Sequence, residues 1–486
     1  MIPLTLAEIA RAVGGKTYDI PDSDLTVTGP VVKDSREVLP GSLFVAFAGE
    51  RVDGHDYAAQ VIADGAVAVL AARPVGVPAI VVDDVQAALG ALARHVIGRL
   101  GVTVVALTGS AGKTSTKDLI AQLLDKVAPT VWTPGSLNNE IGLPLTALTA
   151  DEHTRNLVLE MGARGPGHIR YLTGLTPPRI GLVLNVGSAH IGEFGGREQI
   201  AQAKGELVEA LPAAADGGIA VLNADDPLVS AMRTRTRARV VLFGESERAE
   251  VRAENVRLSD RGQPIFSLRT PTGCADVTLR LYGEHHVSNA LAAAAVACEL
   301  GMPVGEIAAA LSSAGSLSHW RMEVTERPDG VTVINDAYNA NPESMKAALR
   351  ALAAMGRPAQ ARGGRTWAVL GAMAELGEHA LTEHDAVGRL AVRLNVSKLV
   401  AVGGTEAAWL QMGAYNEGSW GEESVHVSDA KAAIDLLRSE VRPGDVVLVK
   451  ASRSVGLESV ALALAGAVSG DPGGFGGREG REGAAR

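Results

Sequence analysis

Cysteine is nearly missing from this 486-residue chain, which has only Cys274 and Cys298. Two thiols exclude a disulfide framework, favour a reducing compartment and read as small core fillers. Aromatic residues are scarce at 3%, against 47% hydrophobic residues overall, so the cores must be filled by Ala, Val and Leu. Positive charge is not in excess: the formal net charge is -10. That excludes a broad grip on a nucleic-acid backbone and leaves room only for a local phosphate site. Long apolar runs are absent too. The most Ala-rich stretch, Ala290 to Leu300, is too short to span a bilayer, and Met1 to Gly15 lacks the basic flank and apolar run of a signal peptide. The expectation is a cytoplasmic protein with no nucleic-acid partner and no membrane insertion.

What is present is length and alternation. The chain exceeds the roughly 250 to 300 residues at which one core stops growing, so it should divide. Residues 1–100 combine a short helix (Leu6 to Val13) with apolar runs at Ser42 to Ala46, Ala66 to Leu70 and Ala79 to Val82, a small α/β domain. Residues 101–316 carry continuous apolar runs at Val102 to Leu107, Leu157 to Met161, Ile180 to Val186 and Ile219 to Leu222. Separated by helix-capable segments, these predict a mainly parallel sheet covered on both faces. Residues 317–468 repeat the alternation, with strands at Val331 to Asn335, Thr366 to Leu370, Lys398 to Val402 and Asp445 to Val449 and helices such as Pro342 to Ala354. This reads as a Rossmann-like C-terminal domain. The Gly-rich, charged residues 469–486 have almost nothing to bury and read as a disordered tail. The fold class is therefore α/β with three domains, the central one built on a mainly parallel sheet.

The string Thr108-Gly109-Ser110-Ala111-Gly112-Lys113-Thr114-Ser115 follows the first central strand and precedes a helix expected over Lys117 to Val127. A glycine loop there offers unpaired N–H groups at the positive end of a helix, where phosphate binds. Lys113 would reach the β- and γ-phosphates and Thr114 would place its hydroxyl on Mg²⁺. The longer nucleotide-loop pattern needs a glycine where this chain has Leu107, so the match is to a shorter form, and an ordinary βα turn is the alternative. Two further strands end in Glu160 and in Asn185 with His190. Neighbouring parallel strands meet at their carboxyl ends, so these groups could complete Mg²⁺ coordination, although Glu160 could equally cap a helix and His190 be an ordinary loop histidine. Lys204 falls inside the apolar stripe Ile200, Ala203, Leu207, Val208, Leu211 of a helix expected over Arg197 to Leu211. A lysine turned inward must be paired, neutral or modified, unless it snorkels to the surface.

The strings Gly109 to Ser115, Asn138-Asn-Glu-Ile-Gly-Leu-Pro144, Leu159-Glu-Met-Gly162, Asn185-Val-Gly-Ser-Ala-His190, Lys204 and Asn223-Ala-Asp-Asp226 together resemble the central domain of the Mur ligases. Asp34-Ser-Arg36, Gly41 to Ala46 and Asp53-Gly-His55 resemble that family's uridine-nucleotide domain. Asp336-Ala-Tyr-Asn-Ala-Asn-Pro-Glu-Ser344 and Lys450-Ala-Ser-Arg453 resemble its C-terminal domain. The Asn138 to Thr146 and Asp336 to Pro342 strings are similar to those of the family's D-alanyl-D-alanine-adding type, and the Asp-Asn-Pro-Arg string of the diaminopimelate- or lysine-adding type is absent.

The resemblance implies a ligase that uses ATP and Mg²⁺ to join D-alanyl-D-alanine to UDP-N-acetylmuramoyl-tripeptide through an acyl phosphate, acting as a cytoplasmic monomer. Carried over residue by residue, Gly109, Ser110, Ala111, Gly112, Lys113, Thr114 and Ser115 would cradle ATP. Glu160 and His190 would hold Mg²⁺, and Lys204 would carry a CO₂-derived carbamate supporting a second metal ion. His285 and Asn289 would lie on the adenine side, where His286 stands in place of the family's usual asparagine. Arg321 would reach the nucleotide phosphates and Asp336 would face ATP. Ser35 and Arg36 would meet the uridine nucleotide, Asn138 and Asn139 its peptide arm, and Tyr338, Asn339, Asn341, Lys450 and Arg453 the dipeptide. Alternatives are another amide ligase of this architecture, such as a folylpolyglutamate type, or a nucleotide-switch ATPase with no use for Lys204.

Overall fold

The computed structural model describes residues 1–49, 52–188 and 191–466. His190 and the tail expected at 469–486 lie outside the described residues. Two units pack separately. One comprises Met1–Arg321, Asn341–Ala354 and Glu375–Ala380; the other comprises Met322–Ala340, Met355–Ala374 and the chain from Leu381.

In the first unit the opening helix Leu6–Val13 forms where the sequence places it, because both ends are written locally. Thr5 and Glu8 make reciprocal capping bonds, Glu8 N–H to Thr5 Oγ1 at 3.1 Å and Thr5 N–H to Glu8 Oε2 at 2.9 Å. Gly14 then ends the helix in the left-handed conformation. Strands 31–32, 43–45, 68–71 and 79–81 form a parallel sheet, edged by the antiparallel strand 16–18.

The main sheet has nine strands, of which seven are parallel, in the spatial order 130–132, 156–160, 103–108, 180–183, 219–223, 239–244 and 251–258. Strand 103–108 has a later strand on each side. The order therefore reverses at its carboxyl end, the position where open α/β sheets bind ligands. Strands 264–270 and 273–278 extend the sheet antiparallel. The sequence reading missed them because they bury only one face in alternation, unlike the continuous apolar runs beside them. Cys274 lies exposed on the edge strand, so it is not a core filler; Cys298 is half-buried, and burial pushes its thiol up to about 11. The helix after the glycine loop begins at Lys113, not Lys117, since Gly112 completes the turn and the apolar periodicity starts one turn inside the helix.

The second unit holds parallel strands in the order 332–335, 446–450, 366–370, 398–402 and 424–427, with 323–326 antiparallel at the edge. Four of the five parallel strands bury most of their length, as continuous apolar runs require, while 424–427 at the edge buries only Ser424. Both units are α/β, and no helix among the described residues is long and apolar enough to cross a membrane.

Candidate active site

The loop after strand 103–108 is braced from below by the next strand. Ser110 N–H and Ala111 N–H both donate to Asn185 Oδ1 at 2.9 Å, and Asn185 Nδ2 returns a bond to Ala111 O at 3.1 Å. Those two amides are thus spent on positioning the loop. The amides of Gly112, Lys113 and Thr114, at the start of the helix, make no bond with other described residues and remain for an anion. Gly112 sits at φ 80°, and a Cβ there would come within 2.6 Å of Asn289 Oδ1, so helix 285–299 closes against the loop only because the position is glycine. Lys113 Nζ donates to Gly109 O at 2.7 Å, which holds the ammonium over the loop.

Thr114 joins the ends of two neighbouring strands to the segment that carries Arg321. Its hydroxyl donates to Glu160 Oε2 at 2.9 Å and accepts from Arg321 Nη2 at 3.2 Å. Glu160 is buried, and Asn138 Nδ2 donates to its other oxygen at 2.7 Å. Lys113, Thr114, Glu160, Asn138 and Arg321 therefore form one polar cluster. Protein crowding lowers the pKa of Lys113; Glu160 opposes that shift and the Arg321 charge adds to it.

Lys204 does turn inward. It is 4% exposed on helix Arg197–Glu209, between the buried Ile200 and Leu207, with no ion pair or hydrogen bond among the described residues. Burial, and secondarily the Lys113 charge, hold it well below the ordinary lysine value. His286 is also buried and held neutral, by burial first and by neighbouring His285 second, with the two rings 4.3 Å apart. Asn289 Nδ2 lies 3.4 Å from His286 Nδ1.

The other expected residues have the following surroundings. Asn139 caps helix 142–147 through Gly142 N–H at 2.8 Å. Asn341, expected beside a dipeptide, donates from Nδ2 to Ser110 O at 3.1 Å and caps the helix starting at Pro342. Arg36 is 86% exposed and paired with Asp34 at 2.5 Å, with Ser35 beside it in the same 3₁₀ turn. In the second unit Lys450 Nζ lies 2.7 Å from Asp336 Oδ2 and 2.8 Å from Asn339 O, and Arg453 lies over the Tyr338 ring at 6.0 Å. Two carboxylates received no role from the sequence. Glu343 Oε1 accepts from Ser188 N and Oγ at 2.8 and 2.9 Å, and Asp226 Oδ2 accepts from Val186 N at 2.8 Å. Both belong to strings that the family resemblance picked out, which was the available signal.

No group of three or more His, Cys, Asp or Glu suited to a metal exists among the described residues. The Thr114 hydroxyl and Glu160 carboxylate are nevertheless hard oxygen donors at the phosphate end of the loop, and that donor chemistry fits Mg²⁺ completed by phosphate oxygens and water.

Comparison with known proteins gives a consistent result. Residues 31–96, 107–297 and 320–453 match models described as Mur ligase family catalytic domain, Mur ligase middle domain and Mur ligase glutamate ligase domain. A UDP-N-acetylmuramoyl-tripeptide–D-alanyl-D-alanine ligase of Mycobacterium tuberculosis is 50% identical over 96% of this chain and 98% of its own. A crystal structure of MurF from Acinetobacter baumannii superposes with a TM-score of 0.85 at 31% identity, covering 96% of this chain and 99% of that one. MurF ligase from Thermotoga maritima in complex with ADP gives 0.78 at 32% identity, over 90% and 98%.

Proposed function

The chain belongs to the Mur ligase family, and on that premise we propose that it joins D-alanyl-D-alanine to UDP-N-acetylmuramoyl-tripeptide in peptidoglycan precursor synthesis, with ATP as the energy source. One observation carries this reading: Lys113, Thr114, Glu160 and Arg321 converge at the point where the strand order reverses, beside three unclaimed helix amides.

A carboxylate oxygen of the tripeptide attacks the γ-phosphorus. The bond to the bridging oxygen breaks, ADP leaves, and an acyl phosphate forms. The dipeptide amine then adds to the acyl carbon, and inorganic phosphate departs with the electron pair of the C–O bond while the nitrogen loses a proton to water. Two anions must meet in the first step, so positioning and charge neutralisation do most of the catalysis. Lys113 and Arg321 supply that charge. Thr114 and Glu160 would hold Mg²⁺, with His190 as a further ligand, and the ion would supply charge stabilisation on the phosphates. Lys204 is buried and its affinity for a proton is lowered; a neutral amine there would capture CO₂, and its carbamate would be a second anionic ligand.

His285 and Asn289 take the adenine side, Ser35 and Arg36 the uridine nucleotide, Asn138 and Asn139 the peptide arm. Asp336 faces ATP, and Tyr338, Asn339, Asn341, Lys450 and Arg453 serve the dipeptide. Residues 1–100, 101–316 and 317–468 are the corresponding domains of a cytoplasmic monomer. The test is phosphate release from purified protein with ATP, UDP-tripeptide and D-alanyl-D-alanine. Release should require all three, and release indifferent to omission of the dipeptide would reject the assignment.

A further inference from the structure

Helix Lys113–Asp125 carries more than the loop lysine. Thr114, Asp118 and Gln122 recur every fourth residue and so share one face, and Lys126 follows in the same register. Each meets the incoming segment in turn. Lys126 Nζ donates to Ser313 Oγ at 3.0 Å. Gln122 makes a two-way amide pair with Gly315, Nε2 to O at 2.9 Å and N–H to Oε1 at 3.1 Å. Asp118 Oδ2 accepts from Ser318 N–H at 3.0 Å, and Thr114 Oγ1 accepts from Arg321 Nη2 at 3.2 Å. Residues 313, 315, 318 and 321 thus descend the helix face antiparallel to 126, 122, 118 and 114.

The two spacings fix the shape of the segment. Twelve helical residues rise about 18 Å, whereas eight extended residues would reach about 26 Å, so the segment must be shortened to stay in register. Trp320 and Met322 flank Arg321 and both adopt positive φ, 58° and 50°, which side chains larger than glycine rarely do. Asp118 is itself buried and ion-paired at 2.7 Å with buried Lys117, whose Nζ also donates to Thr133 O at 2.6 Å. The rung is therefore anchored to the strand side of the site and cannot drift.

We infer that this ladder is a ruler for Arg321, and that Asp118 and Gln122 are positioning residues that set where its guanidinium meets the nucleotide phosphates. The inference rests on the ligase reading above for the role of Arg321, but the ladder has its own test. In the full-length protein, Gln122→Met removes the amide rung and keeps side-chain length and helix propensity. Acceptor-dependent kcat should fall between about 10- and 100-fold, the scale of a misplacement near 1 Å, with KM for ATP changed less. Arg321→Ala should fall further. Adding Gln122→Met to Arg321→Ala should then cost nothing more, because both act through one side chain. Asp118→Asn keeps an acceptor for Ser318 N–H and should retain most activity, while Asp118→Ala should behave as Gln122→Met does. Losses that multiply in the double variant, or a Gln122→Met enzyme with unchanged kcat, would overturn the ruler. Failure of the ligase reading looks different: the unmutated protein would release phosphate without the dipeptide. The ladder is then judged by ATP titration of the same variants, where the same absence of additivity is required and additive losses sink it.

Discussion

Two lysines of this chain are almost equally buried and in opposite circumstances. Lys450 is 1% exposed at the end of strand 446–450 and meets Asp336, just past the end of the neighbouring strand 332–335, at 2.7 Å. Lys204 is 4% exposed on a helix and meets no opposing charge among the described residues; the charge that acts on it is Lys113, of its own sign. A buried ammonium that is paired keeps its proton and acts as a fixed positive charge. One that burial first and a neighbouring cation second both disfavour holds its proton less tightly. The difference separates a buried lysine fixed by a carboxylate from one that meets no counter-charge among the described residues.

Breaking the pair should have the largest effect. Asp336→Ala leaves Lys450 charged and buried without its carboxylate, and removing one partner of such a pair costs about 3 to 5 kcal/mol. Chemical denaturation should show that loss, and a variant within about 0.5 kcal/mol of the parent, the range of ordinary surface substitutions, would mean the pair is not holding the strand ends together. Lys204→Ala should do the reverse. Stability should hold or rise, while phosphate release drops by about 10² to 10³-fold, the size of losing one strong electrostatic contact. Partial return of activity on adding a small carboxylic acid would mark the missing group as an anion. Full activity without any addition would remove Lys204 from the reaction.

The same contrast shows what could be read from the sequence and what could not. Lys204 was legible because a helix has a fixed period, and one charged residue inside an apolar stripe stands out without any tertiary information. The strand, loop and helix around Lys113 were legible for the same local reason. The Lys450–Asp336 pair was not, since the two residues are more than a hundred positions apart and their strands become neighbours only through the sheet order. Asn185 shows a subtler limit: its position at a strand end was visible, but its bonds to Ser110 and Ala111 depend on which strand lies beside which. The antiparallel strands 264–270 and 273–278 escaped because one-sided burial leaves no continuous apolar run.

The pH dependence of stability sharpens the comparison at a smaller scale. Folding lowers the pKa of Lys204, so between its lowered value and the ordinary 10.5 the unfolded chain binds more protons than the folded one, and stability rises with pH across that window. The slope from this one group cannot exceed about 1.4 kcal/mol per pH unit. In CO₂-free buffer Lys204→Met should therefore be more stable than the parent by a margin that shrinks as the pH rises through that window toward 10.5. A margin that does not change with pH would mean that Lys204 is protonated in the fold.

The smallest effect belongs to a third basic residue, one that has a partner but lies in water. Arg36 meets Asp34 at 2.5 Å, closer than Lys450 meets Asp336, yet its side chain is 86% exposed. In high dielectric the attraction is weak, and holding two side chains together offsets much of it, so exposed pairs contribute about 0 to 1 kcal/mol. Arg36→Ala should accordingly shift the unfolding free energy by less than about 1 kcal/mol, and added salt should shrink even that. If denaturation instead shows a loss as large as that of Asp336→Ala, burial is not what gives the Lys450 pair its weight. If stability holds and only KM for the UDP-tripeptide rises, Arg36 is kept for its substrate rather than for Asp34.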